Sequence, residues 1–262
     1  MKHKKIQTYG DELYAALRQC QMVDPLTERE PEITIEDAYA ISSHILSRRI
    51  ADGERVIGKK IGVTSDAVQN MLGVGQPDFG YLTDQMVVEE GGVLSISKLM
   101  IQPRAEGEIA FVLKKDLEGP GVTTTDVLQA TDFVVPCFEI VDSRIRDWKI
   151  RIQDTIADNA SCGYFTLGQM AVDPRKLDLS VCGMVVELNG QVISTGAGAA
   201  ALGSSPVTCV AWLANTLGRL GTSLKAGDVI LSGSLVPLQP VKPGDCMAVS
   251  IGGIGRTSVR FN

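Results

Sequence analysis

The sequence predicts an α+β protein, with a mainly antiparallel or mixed β body behind a helical N-terminal region. Three observations predict it. Apolar residues in the first fifty or so positions recur at helical spacing. From Val56 onward, short runs with period-two alternation are separated by Gly, Pro and Asp turns. A single later segment returns to the helical period. The division falls between residues 1–55, the helical region, and 56–262, the β body that carries the chemistry.

Residues 10–22 put Leu13, Ala16, Leu17 and Cys20 on one stripe, which predicts a first helix. The stretch DPLTEREPE reads as a polar linker. Thr34 then has the position of an N-cap, with Asp37 closing a capping box. The helix that follows places Ala38, Ile41, Ile45 and Arg49 on one face. His44 lies off that stripe and reads as a solvated or satisfied helix histidine. The runs VIGKKIGV, GEIAFVLKK, DFVVPCFEIV, GMVVELNGQVIS, GDVILSGS, DCMAVSIGGIG and TSVRF read as strands. Asn189-Gly190 between two runs marks a tight hairpin. Ser205 caps a last helix with Pro206 at its first position. Val207, Val210, Ala211, Ala214 and Leu217 form its apolar stripe, and Gly221 can end it.

Composition narrows the function. The chain of 262 residues is 44% apolar, so it can bury a large core. A net charge of −6 argues against nucleic-acid binding, which needs a basic footprint. No apolar run reaches the length of a membrane span. The basic N-terminus lacks the apolar stretch of a secretory signal. Six scattered cysteines, with no C-x-x-C pair, read as reduced buried thiols, and a soluble cytoplasmic protein is expected. His3 and His44 are the only histidines, which weighs against a zinc site or a Ser-His-Asp triad. The stretch Gly196-Ala-Gly198-Ala-Ala-Ala201 fits a loose dinucleotide pattern. Its preceding strand belongs to a hairpin, and no acidic residue follows about 20 residues on. Small residues that permit close packing explain it better.

The chemistry concentrates in QPRAEGEIAFVLKK. On a strand, residues two apart share a face, so Glu106 and Glu108 project side by side, with Gly107 on the other face. Ile109, Phe111 and Leu113 make that other face apolar. Two close carboxylates raise each other's pKa unless a cation lies between them. Oxygen ligands without histidine favour Mg²⁺ or Mn²⁺ over Zn²⁺. Glu139 interrupts the apolar run FVVPCFEIV and is a third ligand candidate, as is Asp142 three residues on. In VIGKKIGVTS, Lys60 shares its face with Gly58 and Gly62, which leave space for a ligand. Lys59 shares its face with Ile57, Ile61 and Val63, and is expected to run its stem past apolar surface, with a structural ion pair as the alternative for either lysine. Asp78 in QPDFGYLTD and Ser161 in ADNASCGYF lie in polar stretches.

The strings IGKKIGVTS, NMLGVGQPDFGYLTD, QPRAEGEIAF, CFEIVDSR, DNASCG, GAGAAALG and LSGSLVPL together resemble the 2-hydroxypenta-2,4-dienoate (2-oxopent-4-enoate) hydratases of meta-cleavage aromatic catabolism. Those enzymes group with 4-oxalocrotonate decarboxylase and are related in fold to the fumarylacetoacetate hydrolase superfamily. The resemblance runs from about residue 10 to the C-terminus. It implies a mixed β-sandwich or roll of the fumarylacetoacetase C-terminal type, a helical N-terminal region and a homo-oligomer. It also implies metal ligation by Glu106, Glu108 and Glu139, with Lys60 in the site.

The expected reaction protonates a dienol acid at C5 and adds water at C4, giving 4-hydroxy-2-oxopentanoate. Lys60 is the expected proton carrier if its pKa is lowered. Asp78 would orient Lys60 or the water, and Ser161 would hold the substrate carboxylate. A decarboxylase on the same scaffold is the alternative, although DNASCG and LSGSL resemble the hydratase version more. Acylpyruvate hydrolysis commonly uses a histidine base, which the two histidines make a poor fit. A non-catalytic subunit associated with pathway neighbours is the reading from another class, and the intact carboxylate set argues against it.

Overall fold

The computed structural model describes residues 1–65, 68–70 and 73–262. Met71 and Leu72 of the NMLGVGQPDFGYLTD string lie outside the described residues.

The N-terminal region folds as α1 (His3–Gln19), α2 (Leu26–Arg29) and α3 (Ile35–Ala51). Thr34 and Asp37 form the capping box that their spacing predicts. Ala38, Ile41, Ile45 and Arg49 are all buried. α1 and α3 approach closely at Gly10, where a Cβ would lie 2.5 Å from the His44 ring. His44 Nε2 is 2.9 Å from Asp11 Oδ1, so this histidine is a satisfied contact between helices. The polar linker proves partly helical. Leu26 is fully buried, and Thr27 donates from its N–H and hydroxyl to Asp154 at 3.0 and 2.7 Å. A tertiary anchor that no local pattern reveals thus orders one helical turn.

The shorter helices are α4 (Ile96–Leu99), α5 (Thr124–Ala130) and α6 (Ile152–Ala157), and the last is α7 (Pro206–Arg219). The α7 N-terminus carries the predicted Ser205 cap and Pro206. No helix among the described residues is long and apolar enough to cross a membrane.

Among the described residues, thirteen strands form two sheets. The larger contains β1 (Val56–Gly62), β2 (Asp78–Thr83), β3 (Val87–Val88), β5 (Arg104–Leu113), β6 (Thr131–Val141), β7 (Tyr164–Leu167) and β10 (Val229–Leu231). Their order is β2-β1-β10-β5-β6-β7-β3, and β11 (Gln239–Pro240) also pairs with β5. The smaller contains β4 (Val93–Leu94), β8 (Gly183–Leu188), β9 (Gln191–Ala197), β12 (Cys246–Ile251) and β13 (Gly255–Phe261), in the order β4-β13-β12-β8-β9. β1–β10, β3–β7 and β4–β13 are parallel, and the other pairs are antiparallel, so the sheets are mixed. β8 and β9 join through Asn189 and Gly190 at φ 53° and 80°, which is why asparagine and glycine stand there.

The sheets pack through one face of β5. A Cβ at Gly107 would lie 2.9 Å from Met184 Sδ and 3.2 Å from Val249 Cγ2, so glycine lets the second sheet close onto the first. Ile109, Phe111 and Leu113 continue this core with α7 residues. A second core joins α1, α2 and α3 to α6 through Leu13, Ile41, Ile45, Ile152 and Ile156. A third, including Leu82, Ala110, Val135, Cys137, Phe165 and Leu231, fills the opposite face of the large sheet. The small residues Gly196 and Gly198 do permit close packing. Their Cβ positions would fall 2.0 Å from Leu235 O and 1.6 Å from Leu179 O.

Candidate active site

Antiparallel pairing sets Glu106 of β5 directly opposite Glu139 of β6, and Glu108 opposite Cys137. Side chains alternate along strands, so Glu106, Glu108 and Glu139 share one face. One carboxylate oxygen from each lies within 4.8 Å of the others. The same face turns apolar further along the strands, at Ala110, Val135 and Leu231, which seal that end. Glu108 and Glu139 are 1% and 0% exposed, whereas Glu106 is half-buried, so the cluster opens on the Glu106 side.

β1 adds two lysines. Its register sets Lys60 opposite Gly80 and Gly62 opposite Asp78. Lys60 Nζ lies 3.2 Å from Glu139 Oε1, with its side chain 4% exposed. A Cβ at Gly62 would fall 2.3 Å from Asp78 Oδ1 and 3.2 Å from Lys60 Nζ. The space beside Lys60 is thus taken by the Asp78 carboxylate, and at Gly58 by the backbone of Val229, rather than left vacant for a ligand. Lys59 takes the ion-paired alternative. It does not run out along apolar surface but is buried, with Nζ 2.8 Å from Asp228 Oδ2.

The charge balance follows from this geometry. Burial, with Glu139 beside it, pushes the Glu106 carboxyl up to about 7. Burial and the other two carboxylates hold Glu108 well above the usual range, even though its Oε2 accepts a 2.8 Å hydrogen bond from Gly233 N. Burial pushes Asp78 up to about 6, against the pull of Lys60. Burial works to lower the Lys60 pKa, but Glu139 and Asp78 outweigh it and hold the ammonium above its ordinary range. The lowered pKa expected for Lys60 is therefore reversed in the metal-free geometry.

A divalent cation fits this arrangement. Neither Glu139 oxygen accepts a hydrogen bond within the described residues, and both are buried. Three carboxylates facing one lysine leave a local excess of negative charge, which is costly to bury without a further cation.

Asp142, the other ligand candidate, is not part of the cluster. Three residues from Glu139 on an extended chain, it faces the other way and accepts hydrogen bonds from Ile101 N and Gln102 N. Ser161 is buried, with its hydroxyl 3.2 Å from that of Thr155. It ends a run of three left-handed residues, Asn159, Ala160 and Ser161, at φ 54°, 52° and 53°. Such strain persists only where surroundings enforce it. Here the Asn159 amide pairs with both backbone groups of Tyr81, at 2.8 and 3.0 Å, and so fixes β2.

Sequence reasoning passed over several groups around the site. Gly233 bonds Glu108 from a left-handed φ of 96°, and Ser234 lies beside Glu106. Cys162 lies beside Glu139. The LSGSL and DNASCG strings contained the only signal for them. Of the six free thiols, four are buried as expected, Cys20 is half-buried and Cys246 is exposed.

Residues 59–262 match the family described as fumarylacetoacetate (FAA) hydrolase C-terminal. A 2-hydroxypent-2,4-dienoate hydratase of Pseudomonas putida is 70% identical over 216 residues, which is 82% of this chain and 97% of that relative. A 2-hydroxyhexa-2,4-dienoate hydratase of Comamonas testosteroni is 59% identical over 257 residues, covering 98% and 97%. Among solved structures, the 4-oxalocrotonate decarboxylase from Pseudomonas putida G7, complexed with magnesium and adipate, matches with a TM-score of 0.97 at 36% identity, covering 100% of this chain and 99% of that one.

Proposed function

The chain belongs to the fumarylacetoacetate hydrolase C-terminal family, and we propose that it hydrates 2-hydroxypenta-2,4-dienoate to 4-hydroxy-2-oxopentanoate in meta-cleavage catabolism of aromatic compounds. The observation that carries the site assignment is the convergence of Glu106, Glu108 and Glu139 beside Lys60, with neither buried Glu139 oxygen hydrogen-bonded among the described residues.

Glu106, Glu108 and Glu139 are the proposed ligands of Mg²⁺ or Mn²⁺. Bound there, the cation would supply Lewis-acid polarisation of the 2-oxo acid. The remaining work falls to side chains. Lys60, whose ammonium form Glu139 and Asp78 stabilise, donates its proton to C5 and regains one from the enol hydroxyl, so its role does not require the lowered pKa. Asp78, with a pKa of about 6, takes a proton from the water whose oxygen bonds to C4 and returns it to C3. Ser161 holds the substrate carboxylate. Residues 1–55 form a helical region and residues 56–262 the catalytic β-roll. A cytoplasmic homo-oligomer, able to associate with pathway neighbours, completes the proposal.

Product analysis on the purified chain tests the reading. Loss of conjugated absorbance from 2-hydroxypenta-2,4-dienoate without CO₂ release is the expected result. The 4-oxalocrotonate decarboxylase likeness makes the opposite outcome concrete. CO₂ release from a six-carbon dicarboxylate, with no hydration of the five-carbon acid, would assign decarboxylation instead.

A further inference from the structure

Arg104 opens β5, two residues before Glu106, and the register sets it opposite Val141 as Glu106 is set opposite Glu139. It therefore projects from the face that carries the carboxylates. Exposure rises along this face, from Glu108 at 1% to the half-buried Glu106 and Arg104. Arg104 thus stands on the open side of the cluster, beyond Glu106.

Its surroundings differ from those of the other enclosed arginines. Arg49 and Arg144 are ion-paired, with Glu54 and Asp158. No carboxylate or carbonyl among the described residues engages the Arg104 guanidinium. Its neighbour is an aromatic face, the Trp148 ring, with the guanidinium carbon 4.6 Å from the centroid. Trp148 is itself held, because Nε1 donates to Gln102 O at 3.1 Å. The Gln102 amide in turn donates to Ser143 O and Ile145 O at 2.9 and 2.6 Å. Partial burial, with no acid to offset it, lowers the Arg104 pKa from its ordinary value. The Trp148 contact holds the guanidinium in place, and its N–H groups, with no partner among the described residues, can bind a planar anion through two parallel hydrogen bonds.

We propose that Arg104, on its Trp148 platform, is a carboxylate receptor on the open side of the Glu106–Glu108–Glu139 site and helps to set which organic acids bind. This rests on the hydratase reading, which places an organic acid in the cluster. The carboxylate has two sources. It is either the α-carboxylate of a monocarboxylic 2-oxo acid or the far carboxylate of a dicarboxylic one.

Calorimetric titration of the Mg²⁺-loaded protein with unreactive acids separates them. The probes are 2-oxopentanoate, 2-oxoadipate and the uncharged pentane-2,3-dione, each against the parent and Arg104→Met. Replacement is expected to weaken an acid by about tenfold to a hundredfold, the range for a hydrogen bond between charged groups, and to leave the dione and Mg²⁺ affinities unchanged. Equal weakening of both acids assigns the α-carboxylate, and weakening of 2-oxoadipate alone assigns the far one. Affinities for both acids within twofold of the parent would overturn the proposal. A variant that loses the dione and Mg²⁺ equally would also overturn it, since Arg104 would then be structural. Should Arg104→Met not fold, Arg104→Lys decides, because it keeps the charge but loses the planar fork of N–H donors. Selective weakening of an acid supports the receptor, and unchanged affinity overturns it. Failure of the hydratase reading looks different, because the parent would then bind neither acid in a Mg²⁺-dependent way.

Discussion

Substituting each of the two adjacent lysines of β1 should damage the protein in different ways. Lys59 pairs with Asp228 at 2.8 Å in a buried setting. Removing one partner of a buried ion pair costs about 3–5 kcal/mol. Asp228 keeps a 3.0 Å hydrogen bond from Lys225 N, so Lys59→Met belongs at the low end, about 3 kcal/mol. At about 2–4 °C per kcal/mol for a chain near this size, melting should fall by roughly 6–12 °C. Turnover of the folded fraction should stay near the parent value. Lys60 faces Glu139 and Asp78 instead, and Lys60→Met removes the proton carrier. Its rate should fall by about 10²–10⁴-fold, the usual contribution of a positioned acid or base. Lys60→Met also leaves Glu139 and Asp78 without their buried cation, so its melting temperature should fall too, and turnover is what tells the two variants apart. Steady-state kinetics below both melting points, with thermal unfolding of each variant, makes the comparison. An inactive but stable Lys59→Met beside an active Lys60→Met would refute the assignment, because a slip of one residue turns the strand over.

Further outcomes follow from the same geometry. Gly62→Ala places a methyl group 2.3 Å from Asp78 Oδ1, and should cut kcat by about tenfold or more while circular dichroism stays unchanged. Glu106→Gln and Glu108→Gln should each weaken Mg²⁺ binding in a calorimetric titration. The metal-free form should not lose stability, because carboxylate repulsion is relieved; unchanged metal affinity in both variants would reduce these residues to a polar strand face. Metal affinity should rise with pH through about 7, because protons on Glu106 compete with the cation, and binding should release protons, read from titrations in buffers of different ionisation enthalpy. The metal-free fold should show the opposite trend. The Glu106 carboxyl is raised from 4.5 to about 7, so the native state holds its proton more tightly and stability falls as pH rises across that window.

The features legible in the sequence are those fixed by local rules. Thr34 with Asp37, Ser205 with Pro206, and Asn189 with Gly190 each satisfy backbone geometry within four residues, and all three appear where expected. Strand parity likewise placed Glu106 and Glu108 on one face, but it was not applied to Asp142, which stayed a ligand candidate although three residues along an extended chain turn it away from Glu139. Features set by partners far along the chain were not legible. QPDFGYLTD read only as a polar stretch, yet β2 forms there by pairing with β1 and with the Asn159 amide at Tyr81, and Gly80 is needed where Asn159 O approaches to 2.4 Å of a Cβ. Lys59 looked amphipathic because its partner, Asp228, lies 169 residues away. The GDVILSGS run yields only three paired residues, because the chain turns at Gly233 to present its N–H to Glu108. Arg104 sat inside a recognised string, but its missing partner is visible only in three dimensions.

The central claim is that Glu106, Glu108 and Glu139 hold a divalent cation without which no turnover occurs. The direct measurement is the rate of 2-hydroxypenta-2,4-dienoate hydration by chelated protein, titrated with Mg²⁺ or Mn²⁺. The account predicts no turnover after chelation, and recovery that saturates at one cation bound per chain. Full activity in a preparation shown to be metal-free would contradict it.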